Sequence, residues 1–109
     1  MNAVLRLYVL AGDRLEGRPL ARVVVDTARS LRLPWAFARP GIAGYGRHGL
    51  EVDLMLLETR PDRMPMTVQV SGSEAQLTSL LHQLQERGFP DRTVVLEPVE
   101  TSTAGHRTG

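Results

Sequence analysis

The segment 39–49 holds the residue types best suited to binding a small anion. Its sequence, R-P-G-I-A-G-Y-G-R-H-G, has four glycines and two arginines in eleven residues. Glycine adopts positive φ at little cost and lets a ligand approach the backbone, whereas helix and strand interiors disfavour it. Arg39 and Arg47 offer planar guanidinium donors suited to phosphate or carboxylate. The composition predicts a loop at about 39–50 and leaves two roles open, an anion- or partner-binding element and a plain connection between strands.

A second candidate lies where the first predicted strand leads into the first predicted helix. Asp13 and Arg14 stand shortly before Arg18 and Pro19, and helix N-termini attract anions. The same residues could equally form a surface turn in which Asp13 pairs with Arg14, an interaction that contributes little to stability. A ligand-contacting corner and a surface turn therefore remain equal alternatives.

Residue types and spacing give no support to a catalytic or metal site. The chain has no cysteine and three histidines, and no H-x-H or H-x-x-x-H spacing that would favour zinc. His48 is the one histidine in the glycine-rich segment, and a surface position is favoured for it. Neither a G-x-S-x-G nucleophile motif nor a Walker phosphate-binding loop occurs. We therefore expect a non-enzymatic protein with no catalytic residue, no metal and no cofactor.

Composition narrows the partners and the location. The 109 residues carry a net charge of +1, and all thirteen basic residues are arginine, so every cation can bind an anion bidentately. RNA binding by this class of fold needs aromatic residues on the central strands; Tyr8 stands alone on the first strand, so no nucleic-acid partner is expected. The N-terminus has no signal-peptide pattern, and no apolar run approaches the roughly 18 residues of a membrane span. A cytoplasmic protein is expected.

Hydrophobic periodicity predicts two helices among several strands. The helix at 73–88 has a capping box from Ser73 and Gln76, a leucine stripe, and Gly88 as its terminator. The helix at 18–31 has an apolar stripe and Pro19 in its first turn. The predicted strands cover 4–10, 35–38, 50–57, 66–70 and 93–99.

The order of these elements, β-α-β-β(β)-α-β, is typical of the ferredoxin-like fold. We expect an α+β sandwich of one domain, residues 1–100, with two helices on one face of an antiparallel sheet. Val4, Tyr8 and Leu10 would then lie on the other face, and an uncovered apolar face favours oligomerisation through the sheet. Residues 101–109 have no apolar anchor and are expected to form a disordered tail.

Four segments together resemble the PII-like family known as domain of unknown function 190. They are L-R-L-Y-V at 5–9, G-D-R-L-E-G-R-P-L at 12–20, G-I-A-G-Y-G at 41–46 and L-E-P-V-E at 96–100. The chain departs from the family pattern at Val52, near which relatives tend to have a histidine. It also has R-P-D-R-M-P at 60–65, where relatives tend to have S-x-D-L-P before the third strand.

The resemblance implies a homotrimer whose sheets line the centre, with a small anionic ligand bound between subunits. It also implies a loop after the second strand that meets partners, with Gly41, Gly44, Tyr45 and Gly46 at its base. The protein would then be a regulatory or ligand-sensing protein with a membrane transporter or channel as partner. The alternatives are a small enzyme on a ferredoxin-like scaffold and a structural subunit of a transport complex.

Overall fold

The structure, a computed structural model, describes residues 2–41 and 63–99. Its elements in chain order are β1 (Asn2–Leu10), β2 (Arg14–Leu15), β3 (Arg18–Pro19), α1 (Leu20–Ser30), β4 (Trp35–Pro40), β5 (Pro65–Ser73), α2 (Glu74–Glu86) and β6 (Thr93–Pro98). Four strands form one sheet in the order β4-β5-β1-β6, with every neighbouring pair antiparallel. This is the ferredoxin-like arrangement, and it confirms the predicted fold class.

The core lies between the two helices and one face of the sheet. Successive strand residues point to opposite faces, so alternate residues of β1 and β5 lie beneath the helices. Each helix contributes an apolar stripe at helical spacing. The buried residues are Ala3, Leu5, Leu7 and Val9 on β1, Val68 and Val70 on β5, Leu20, Val23, Val24 and Ala28 on α1, and Leu77, Leu80 and Leu84 on α2.

Helix α2 begins and ends with the signals that its sequence carries. The Ser73 side chain accepts a hydrogen bond from the Gln76 amide at 3.1 Å, and the Gln76 side chain accepts one from the Ser73 amide at 2.9 Å. Gly88 follows the last turn at φ 101°, a left-handed conformation that glycine adopts without strain. The predicted capping box and terminator are confirmed.

The first helix begins at Leu20, so its prediction from residue 18 is wrong by two residues. Arg14–Leu15 and Arg18–Pro19 pair as a short hairpin, with Leu15 opposite Arg18. Its two central residues, Glu16 and Gly17, have φ of 54° and 77°, as two-residue hairpin turns that match strand twist require. Because hairpin pairing keeps Arg18 and Pro19 extended, the helix starts only at the next residue.

The sheet face away from the helices has no covering element in the described part of the chain. We call it the open face; it carries Val4, Arg6 and Tyr8 of β1, Thr67, Gln69 and Ser71 of β5, Trp35, Phe37 and Arg39 of β4, and Thr93, Val95 and Glu97 of β6. Contrary to expectation, Val4 is buried, at 7% exposed, because its neighbours in the sheet cover it. The large exposed apolar residues of this face are Trp35 at 47% and Val95 at 38%.

Candidate functional site

A small hollow lies on the open face where β4 approaches its end. Its volume is about 70 Å³, and Arg6, Tyr8, Arg39, Thr67 and Gln69 line it. The antiparallel register places three of these side chains in one row, because Arg39 lies opposite Thr67 and Thr67 lies opposite Tyr8. The lining therefore draws on three adjacent strands, whose hydrogen-bonded backbones fix its geometry.

Arg39 stands at the rim of the hollow on a ladder of aromatic rings. The Trp35 and Phe37 rings stack with centroids 5.3 Å apart and planes 12° from parallel. The Arg39 guanidinium carbon lies 5.7 Å from the Phe37 centroid, within the range of a cation–π interaction. Arg39 has no hydrogen bond or ion pair with another described residue, so its N–H groups can donate to a ligand.

The other polar groups of the hollow are mostly hydrogen-bond donors. Arg6 faces Glu97 at 3.4 Å, a long and exposed contact that contributes little. The Tyr8 hydroxyl and the Gln69 amide make no hydrogen bond among the described residues. Two guanidinium groups with one carboxylate leave a net positive charge, so the hollow suits a small oxyanion or a carboxylate better than a cation.

Gly41 closes the edge of the site next to β4. Its amide donates to the Pro65 carbonyl at 2.7 Å, and its carbonyl accepts from the Thr67 hydroxyl at 2.8 Å. Gly41 has φ 93°, a region that strains any residue with a side chain. The chain thus leaves β4 and returns into β5 through a tightly hydrogen-bonded base beside the hollow.

Asp13 and Arg14 do not pair with each other. The Asp13 carboxylate instead accepts two hydrogen bonds from Arg92, from Nε at 2.8 Å and from Nη2 at 2.7 Å. It also accepts the Leu10 amide at 2.9 Å. Arg92 is the main cause that holds the pKa of Asp13 below its usual range, and burial opposes this only in part. The carboxylate is therefore committed to a structural contact.

Arg14 remains on the surface of the hairpin. Its Nη1 lies 3.4 Å from the Gly17 carbonyl oxygen, and its side chain does not line the hollow. Of the residues singled out from the sequence, the structure therefore brings Arg39 and Gly41 together and places Asp13 and Arg14 in a separate corner.

Sequence reasoning missed four residues at these two places. Arg6, Tyr8 and Gln69 line the hollow, and Arg92 holds Asp13. The alternation on β1 and β5 put the first three on one face, but only strand order makes them neighbours of Arg39. No local signal marks Arg92, because its partner lies at the opposite end of the chain.

Several predictions from the sequence fall outside the described residues. They concern Gly44, Tyr45, Gly46, Arg47 and His48, the strand at 50–57, and the tail at 101–109. Within 2–41 and 63–99, no three His, Asp or Glu side chains lie close enough together to hold a metal ion. None of the helices in these ranges has the length and apolar character needed to cross a membrane.

A ferredoxin-like sheet with an uncovered face and a donor-rich hollow defines the class of fold. The family can then be stated: residues 2–101 match domain of unknown function 190, described as "Uncharacterized ACR". Since the match spans nearly the whole chain, the protein belongs to this family, as its sequence motifs predict.

Two solved structures are similar to the chain. One is a protein from Thermus thermophilus described as PII-like and assigned to signaling, with 18% identity and a TM-score of 0.51, covering 87% of this chain and 81% of its own. The other is CPII from Thiomonas intermedia, bound to ADP and bicarbonate, with 15% identity and a TM-score of 0.56, covering 88% and 83%. At these identities the two structures establish the shared PII-like fold.

Proposed function

We propose that this protein is a PII-like regulatory protein that senses a small anionic metabolite or nucleotide, and that it is not an enzyme. The observation that carries the proposal is the donor-rich hollow on the open face beside Gly41. Arg39 and Arg6 supply charge there, Tyr8 and Gln69 supply neutral donors, and Phe37 holds the Arg39 guanidinium in place. These groups suit recognition of an anion, and none of them is arranged as a nucleophile with a general base.

The active assembly in this proposal is a homotrimer whose open faces line the centre. Trp35 and Val95 support it, because both expose large apolar surfaces on that face and burial of such surfaces drives association. The ligand binds between subunits, so the hollow of one subunit supplies part of each site. The complex of CPII with ADP and bicarbonate makes these two anions the first to test.

The glycine-rich segment extends the same site in the proposal. Gly44, Tyr45, Gly46 and Arg47 follow Gly41 along the chain, and they contact the ligand and a partner, a membrane transporter or channel. Asp13 and Arg14 contribute from the corner at the start of the first helix, with Asp13 acting through its contact with Arg92.

The experiment is calorimetric titration with ADP, bicarbonate and inorganic phosphate, with light scattering on the same samples. The expected results are a mass about three times the 12.0 kDa chain and saturable binding of at least one anion. Arg39→Ala should weaken that binding by about 1–3 kcal/mol, whereas Arg32→Ala, an exposed arginine away from the hollow, should leave it unchanged. A stable monomer that binds none of the three anions would refute the proposal.

A further inference from the structure

The outer edge of β4 presents unpaired backbone groups. β4 ends the sheet and pairs only with β5 among the described strands. The hydrogen bond from the Gly41 amide to the Pro65 carbonyl sets the phase of that pairing. In an antiparallel ladder alternate residues exchange hydrogen bonds with the partner strand, so Phe37 and Arg39 face β5. Ala36 and Ala38 therefore direct their N–H and C=O groups outward, where no described backbone group pairs with them.

A groove runs between this edge and helix α1. Its volume is about 370 Å³, and its apolar floor is formed by Ala21, Val25 and Ala38. Small side chains at Ala36 and Ala38 leave room for another strand at the usual spacing of about 4.8 Å. Natural sheets usually protect an edge with lysine, a bulge or an inner proline. Here the only proline of the strand is its last residue, Pro40.

Positive charge lines the helix side of the groove. Arg22 and Arg29 both border it, together with Asp26. Asp26 is already paired with Arg18 and lies 3.4 Å from Arg22 Nε. Arg29 has no ion pair within the described chain. Three arginines around one carboxylate leave an excess of two positive charges next to the outward-facing backbone.

We propose that the β4 edge binds an extended acidic segment of a partner protein as a fifth strand of the sheet. Partner residues opposite Ala36 and Ala38 point to the helix side, where Arg22 and Arg29 favour Asp or Glu. The residue between them points to the open face beside Phe37, where an apolar side chain fits. The recognised pattern is therefore acidic–apolar–acidic, in the strand-addition mode of peptide recognition. This surface is separate from the hollow, and the inference does not rest on the proposed function.

An extended peptide fits the two features of the edge together. Its backbone satisfies the N–H and C=O groups of Ala36 and Ala38, and its alternate carboxylates meet the arginines. A nucleic acid or an anionic membrane would use the arginines but has no repeating backbone to pair with the strand. Removing the outward N–H of Ala38 separates these cases.

The test uses the full chain and two capped heptapeptides of identical composition. One, Thr-Glu-Leu-Glu-Leu-Glu-Thr, alternates acidic and apolar residues; the other, Thr-Glu-Glu-Glu-Leu-Leu-Thr, does not. Binding is measured by fluorescence anisotropy, and amide hydrogen exchange is followed by NMR. Ala38→Pro removes the outward donor without touching the bonds to β5, and Ala38→Ser keeps that donor as its control. Arg22→Gln with Arg29→Gln tests the charge, and Arg32→Gln is the matched control.

The alternating peptide should bind at least ten-fold more tightly than the other and should protect the Ala36 and Ala38 amides from exchange. Ala38→Pro and the double arginine variant should each weaken binding at least ten-fold, while both controls leave it unchanged. Equal binding of the two peptides, or full binding to Ala38→Pro, would overturn the inference in favour of a general basic surface. Strong protection of both amides without peptide, or a change of oligomeric state in Ala38→Pro, would show that the chain or a second copy already occupies the edge. The exchange data on the unmodified protein decide the matter even if Ala38→Pro fails to fold.

Discussion

Arg92 grips the carboxylate of Asp13 across 79 positions of the chain, with hydrogen bonds of 2.8 and 2.7 Å. The same aspartate accepts the Leu10 amide through its side chain and the Leu20 amide through its carbonyl, at 2.8 Å. One residue thus joins the end of β1, the start of α1 and the segment before β6. The Asp13 side chain is only 11% exposed, so solvent screens this pair less than an ordinary surface pair.

Replacing Asp13 should therefore destabilise the fold. We expect Asp13→Asn to lower the free energy of unfolding by about 1–3 kcal/mol, because a charge-assisted bidentate contact is lost and Arg92 is left without its partner. Urea denaturation measures the change. The control is Glu97→Gln in the long, exposed pair with Arg6, which should cost less than about 0.5 kcal/mol. Equal effects of the two substitutions would refute the special role of Asp13.

The Asp13 contact also predicts how stability depends on pH. Hydrogen bonds from Arg92, and then from the Leu10 amide, lower the pKa of Asp13 in the folded state, and the ordinary value is 3.8. A lowered folded pKa means that the unfolded chain binds a proton first. The contribution of Asp13 is therefore complete above about pH 4 and is lost as the pH falls through the lowered pKa.

Two exposed carboxylates act in the same direction, so the comparison with Asp13→Asn is needed to isolate one group. The pKa of Glu16 is lowered chiefly by Arg87, and that of Asp26 chiefly by Arg18. Unfolding measured from pH 6 down to pH 2 should show the two proteins converging in stability as the pH falls below 4. A stability difference that is constant over this range would contradict the prediction.

The helices and strands were predictable because their signals are local. The capping box of Ser73 and Gln76, the leucine stripe of α2 and the alternation on β1 each lie within one element. The start of α1 was misplaced because a hairpin, a contact between residues four apart, overrode the proline signal at Pro19. Strand order followed from the sequence of elements, and with it the fold class.

The candidate site was only partly predictable, since its members come from separate strands. Arg39 and Gly41 carried a compositional signal, whereas Arg6 and Gln69 are unremarkable in their own segments. They become site residues only through the register that sets Arg6 opposite Gln69 and Gln69 opposite Phe37. The partner of Asp13 was assigned to its chain neighbour Arg14 in one alternative, because sequence spacing cannot reveal a contact over 79 positions.

Helix α2 offers a direct measure of capping energy. Ser73→Ala removes the acceptor for the Gln76 amide, so we expect a loss of about 1 kcal/mol in the free energy of unfolding. Ser79→Ala is the control, because Ser79 is exposed in the helix interior, where alanine is slightly preferred. Thermal unfolding of both variants should therefore give changes of opposite sign. A stability loss as large for Ser79→Ala would contradict the capping argument.

The proposed trimer can be tested on one strand with two matched substitutions. Val95 and Leu96 are 38% and 41% exposed, but Val95 lies on the open face opposite Arg6 and Leu96 on the helix side opposite Leu5. Because a buried carboxylate strongly disfavours an apolar interface, Val95→Asp should dissociate the assembly at micromolar concentration, as measured by light scattering. Leu96→Asp should leave the mass unchanged. Dissociation by Leu96→Asp alone would place the interface on the helix side of β6.

The last prediction concerns the glycine-rich segment after Gly41. We expect residues 41–49 to become ordered on ligand binding, since fixing glycine-rich backbone costs roughly 1–2 kcal/mol per residue and bound anion contacts offset that cost. Arg47 should supply a charge-assisted contact, so Arg47→Ala weakens anion binding by about 1–3 kcal/mol without changing the melting temperature. Hydrogen exchange on 41–49, with and without the anion identified by calorimetry, measures the ordering.

A double substitution separates the role of Arg47 from that of Arg39. If both arginines contact the same anion, the combined loss in Arg39→Ala with Arg47→Ala should depart from the sum of the single losses by more than about 0.5 kcal/mol. Simple additivity would place Arg47 outside the ligand shell that Arg39 helps to form. Strong protection of the 41–49 amides before any anion is added, together with full binding by Arg47→Ala, would reduce the segment to a connection between two strands.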